Sequence, residues 1–72
     1  LNEISTSTIL EVLNRLNHYY YGRMRAARKL CAESLNAQSG YEYALAATRW
    51  EAMQVAIHTV ATNLELTLKE IE

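Results

Sequence analysis

Residues 43–71 read YALAATRWEAMQVAIHTVATNLELTLKEI. Within this stretch Tyr43, Ala46, Trp50, Met53, Ile57, Val60, Leu64, Thr67 and Ile71 return in alternating steps of three and four. That is a heptad seam held over four repeats, and a helix keeps such a seam on one face, ready to lie along another helix. The spacing predicts a helix over about residues 41–71.

Upstream, Ile9, Leu13, Leu16, Tyr20, Met24, Ala27 and Cys31 form a second stripe, flanked by Val12, Tyr19, Leu30 and Leu35. Its steps average above 3.5, so the stripe drifts round its helix, and the drift falls at Gly22. A glycine inside a helix costs about 1 kcal/mol, so Gly22 is expected to mark a kink or a close helix approach. The reading is one helix over about residues 6–36. Its start falls between Ser5 and Thr8, with Thr8 and Glu11 spaced as a capping box.

Asn36-Ala37-Gln38-Ser39-Gly40 is the turn between the two. Ser39 and Glu42 form a second capping box, placing the turn at 37–40 and the second helix just after it. Residues 1–72 are read as one all-α domain, an antiparallel two-helix hairpin.

Length argues that the hairpin is not self-sufficient. At 72 residues a single core supplies only about 3–5 kcal/mol, and small chains add disulfides, metal or oligomerisation. One cysteine excludes an internal disulfide, and two histidines without a cysteine cluster disfavour a structural zinc. Oligomerisation is left. Helix 1 carries an apolar sector of roughly 140°, wider than an ordinary surface helix needs. Helix 2 carries a further seam opposite the first, in Tyr41, Leu45, Thr48, Ala52, Val55, Thr59, Thr62 and Leu66. Two such hairpins are expected to close a homodimeric four-helix bundle. Its interface is drawn from Leu13, Leu16, Tyr20, Leu45, Trp50, Met53, Val55, Ile57 and Leu66.

The net charge of −1 gives no global field toward nucleic acid or membrane, and no apolar run reaches the length of a membrane span. The default is a cytoplasmic protein. Aspartate is absent, the glutamates are scattered and no glycine-rich loop precedes a helix, so no enzyme and no cofactor are expected. His18 and His58 fall at similar heights, but on different faces and without a third ligand, so no metal site is expected. Cys31 lies on the apolar stripe as a buried small hydrophobe.

One polar stripe remains on helix 1. His18, Tyr21, Arg25 and Arg28 share a face, with Lys29 beside them. Cations and an aromatic ring suit an acidic protein partner, or phosphates and a base. Arg23, at the edge of the apolar sector, is expected to lay its stem over the seam, with Glu51 at the right level to meet it. The expected function is protein–protein interaction, as a small regulator, inhibitor or assembly adaptor; the alternative is a nucleic-acid-binding hairpin using the same basic stripe.

Overall fold

The computed structural model describes residues 5–71, and Leu1 and Ile4, read above as a lead-in, lie outside them. Two helices, α1 (Thr6–Ala32) and α2 (Ala37–Asn63), pack against each other. Contacts at three heights fix them as antiparallel: Asn17 to His58, Arg28 to Glu51, and Cys31 to Gly40. The chain is an all-helical hairpin.

Both helix starts use caps three residues upstream of the expected boxes, the first still within the expected range from Ser5 to Thr8. Ser5 is extended, and its hydroxyl accepts from the Thr8 N–H at 3.2 Å. Glu11 instead pairs with Arg15 one turn on, at 3.1 Å. At the second start Asn36 is extended, and its carbonyl oxygen accepts from the Ser39 N–H at 2.8 Å. Helix α2 therefore begins at Ala37, inside the stretch read as the turn, and Glu42 takes a bond from Gln38 rather than from Ser39. The physical reason is that asparagine ranks with the strongest N-caps. Helix α1 correspondingly stops at Ala32 instead of continuing to Asn36, its end tightened by Ser34 N–H donating to Cys31 O.

The other correction is larger. Helix α2 ends at Asn63, eight residues before the expected Ile71. Leu66 N–H donates to Ala61 O at 2.8 Å and Glu65 N–H to Thr62 O at 3.0 Å, the paired bonds of a Schellman stop. Glu65 takes the left-handed conformation this requires, with φ 58°. Residues 66–71 then run without helix, and Lys69 N–H donates to Asn14 Oδ1 at 2.8 Å, tying this tail to α1. Leu66, Leu68 and Ile71 are half-buried there. Leu64, Leu66 and Leu68 alternate with Glu65, Thr67 and Lys69, which is the period of extended chain rather than of helix.

Gly22 neither kinks α1 nor admits a neighbour. The helix is continuous through it, and a Cβ built there meets nothing within 4 Å.

Between the helices, Leu13, Met24 and Ala27 of α1 meet Ala47 and Ala61 of α2, all at most 7% exposed. Buried beside them is Asn17, whose Oδ1 accepts from His58 Nε2 at 3.0 Å. Small alanines on α2 let the backbones come close. This core is narrow, and the molecule is a rod of 52 × 23 × 19 Å with a radius of gyration of 15.2 Å. A compact chain of this length has about 11 Å.

Candidate interaction surfaces

The hairpin has two broad sides, and they differ in chemistry. At 100° per residue, Ile9, Val12, Leu16, Tyr19, Arg23 and Leu30 fall within a sector of about 80° on α1. Ala46, Trp50, Met53, Ile57, Val60 and Leu64 fall within an equal sector on α2, the last at its cap. Each sector is turned about 80° from its helix's buried stripe. Tyr19 and Trp50, with ring centroids 6.0 Å apart, show that the two sectors adjoin on one side of the rod.

This side is apolar and open. Val12, Tyr19 and Leu30 are 43%, 54% and 47% exposed, and Met53, Val60 and Leu64 are 46%, 44% and 49% exposed. At its middle lies an aromatic group. Trp50 stacks on Tyr20 at 5.9 Å, Tyr19 meets both rings edge-on, and the Arg23 guanidinium lies over the indole at 5.3 Å. Tyr19 and Trp50 are the midpoints of α1 and α2, so the cluster marks the centre of the face.

The seam read from residues 43–71 therefore does not carry the hairpin core. It borders that core and forms half of the open face. Of the residues assigned above to a dimer interface, Leu16, Tyr20, Trp50, Met53 and Ile57 fall on or beside this face. Leu13 is enclosed within the hairpin at 7% exposure. Leu45 and Val55 point away from the face, on the outer side of α2, and Leu66 sits in the tail.

The second side is a groove of about 500 Å³, with Tyr21, Met24 and Arg28 on the α1 wall and Glu51, Val55 and His58 among the α2 residues opposite. Arg28 Nη2 lies 3.1 Å from Glu51 Oε2. Arg23, expected to reach Glu51, is turned to Trp50 on the other side, because the two arginines stand on opposite edges of α1. Tyr21 is half-buried with the Arg25 guanidinium 5.8 Å over its ring, while His18 and Lys29 are exposed farther round α1, toward Gly22. The structure thus sets Tyr21 and Arg28 in a groove that the sequence did not reveal, with Arg25 beside them against the Tyr21 ring. Knowing that α2 presents Glu51 and Val55 to this side requires the rotation of α2, which spacing alone leaves open.

Thr48 and Thr59, members of the further seam on α2, spend their hydroxyls on their own helix, donating to Ala44 O and Val55 O. Cys31 is half-buried with its thiol donating to Gly40 O at 3.3 Å, clasping the loop end. Among the described residues, no three His, Cys, Asp or Glu side chains group as a metal site, and no helix is long and apolar enough to cross a membrane. No family model, curated protein or solved structure matches this chain.

Proposed function

We propose that the chain is a non-enzymatic protein–protein interaction module, a small helical regulator or assembly adaptor. It assembles as a homodimeric four-helix bundle through the open apolar side. A single quantity carries the reading. The chain exposes 5826 Å² at 8.2 kDa, whereas a folded monomer of that mass exposes about 4,500 Å². The excess of about 1,300 Å² exceeds the roughly 800 Å² that each partner contributes to a standard interface.

The shape of the face supports a second copy as its occupant. Each helix runs about 40 Å, and the face is flat, apolar and centred on Trp50. Because Tyr19 and Trp50 both stand at mid-helix, a two-fold copy brings aromatic cluster onto aromatic cluster whether α1 faces α1 or α2. Aromatic residues at the centre of an interface supply a disproportionate share of its energy. The free thiol of Cys31 suits the reducing cytoplasm.

Met53→Glu tests this against Val55→Glu. Both side chains are exposed in the hairpin, at 46% and 59%, so neither change unfolds it by burying charge. Met53→Glu is expected to dissociate the dimer while Val55→Glu leaves it intact. A Met53→Glu protein that still sediments as a dimer overturns the assignment of the face.

The rival reading, single-stranded RNA held by Arg25, Arg28 and Lys29, draws on the lack of any acidic residue from Val12 to Ala32. It requires an affinity that falls steeply with salt.

A further inference from the structure

We propose that the groove on the polar side is a docking site for an acidic amphipathic helix of a partner protein. This rests on reading the chain as an interaction module, but not on the dimer. The groove walls are α1 and α2 themselves, so a third helix laid along it meets two helices at ordinary packing distance. From Glu51 to Asn63 it offers about 18 Å, or some three turns of an incoming helix.

The floor and the rim call for different residues on that helix. Met24, 5% exposed, makes an apolar floor, and the exposed Val55 stands on the α2 wall, so the pair takes Leu or Ile at i, i+3 and i+7. The α1 rim is cationic, with Arg25 and Arg28 in a stretch of α1 that has no carboxylate of its own. Arg25 has its guanidinium 5.8 Å from the Tyr21 ring centre and no carboxylate partner of its own among the described residues, so its donors can grip an incoming carboxylate. Arg28 is occupied by Glu51, but their side chains are 57% and 52% exposed, and such a pair exchanges readily for another carboxylate.

Nucleic acid fits the same groove less well. The face of Tyr21 is already taken by Arg25 rather than open to a base. The apolar floor has no counterpart in a backbone of phosphates. In the dimer the two grooves lie on opposite outer sides, so one assembly can hold two partner helices.

The test titrates the isotope-labelled full chain with three probes, read by amide and methyl shifts. One is a synthetic helix of about 14 residues, with Leu at i, i+3 and i+7 and Glu on its flanks. The second has Lys in place of each Glu, and the third is oligouridylate RNA. The acidic peptide is expected to bind, shifting Met24 and Val55, while the lysine twin and the RNA do not. Val55→Glu is expected to abolish binding. Arg25→Glu with Arg28→Glu should weaken the acidic peptide about tenfold or more and bring in the lysine twin, a gain that an unfolded variant cannot imitate. The proposal is overturned if neither peptide binds, if both bind alike, or if RNA alone binds through Arg25 and Arg28. Sedimentation of the same samples separates the two readings. A monomer that binds the acidic peptide loses only the dimer, and a dimer that ignores it loses only the groove.

Discussion

Gly22→Ala is a direct probe of which surfaces the proposed dimer uses. Gly22 sits mid-helix on the back of α1, nearly opposite the buried Met24. An added methyl meets nothing within 4 Å in the hairpin, so the substitution changes only backbone propensity. Alanine is favoured over glycine in a helix interior by about 0.8–1.0 kcal/mol, chiefly because glycine has more freedom to lose. A 72-residue chain unfolds with an entropy of about 150 cal/mol/K, so Tm should rise by roughly 6 °C per chain's worth of stabilisation. The assay is thermal melting by circular dichroism, with wild type and variant at matched concentrations. A neutral or lowered Tm would contradict an unoccupied back of α1. It would mean that another backbone approaches Gly22, and that copies meet on the back of α1 rather than over Trp50.

Glu65→Gly should stabilise by about 0.5–1 kcal/mol in urea titration, since it removes left-handed strain of about 1–2 kcal/mol and adds glycine's entropic cost; a β-branched residue there should destabilise. Asn36→Ala should cost about 1 kcal/mol in the same titration through loss of the α2 cap, whereas Ser39→Ala should cost far less. Ala61→Leu, at a position 2% exposed where the helices touch, should cost about 1–3 kcal/mol by overpacking and lower the melting temperature.

The two helices and their antiparallel pairing were legible in the spacing of residues 9–31 and 43–64. What spacing could not deliver was rotation. The bulkiest repeating residues of α2, from Tyr43 to Leu64, look like the natural contact with α1. The backbones instead close over Ala47 and Ala61, because small residues permit nearer approach, and this turns Met53 and Val60 outward and leaves Trp50 half-buried against Tyr20 at the edge of the contact. A chain with two apolar sectors per helix leaves that choice to three-dimensional packing. The early end of α2 was within reach. Leu64, Leu66 and Leu68 carry a two-residue period, but Leu64 and Ile71 also fit the heptad, and the longer pattern masks the shorter one. The groove was invisible for the same reason as the rotation: the stripe from His18 to Lys29 names one wall, and only the placement of Glu51 and Val55 supplies the other. Asn36 illustrates the limit of cap spacing, since Ser39 with Glu42 makes a complete box in sequence yet lies inside a helix already begun.

Sedimentation equilibrium of the unmodified chain over a wide concentration range, with helicity followed in parallel, decides whether a second copy covers the Trp50 face. A species of twice 8.2 kDa with high helicity is expected, dissociating and losing helix together on dilution. A well-folded monomer whose helicity is independent of concentration contradicts it, because the open face around Trp50 would then be stable without a second copy to cover it.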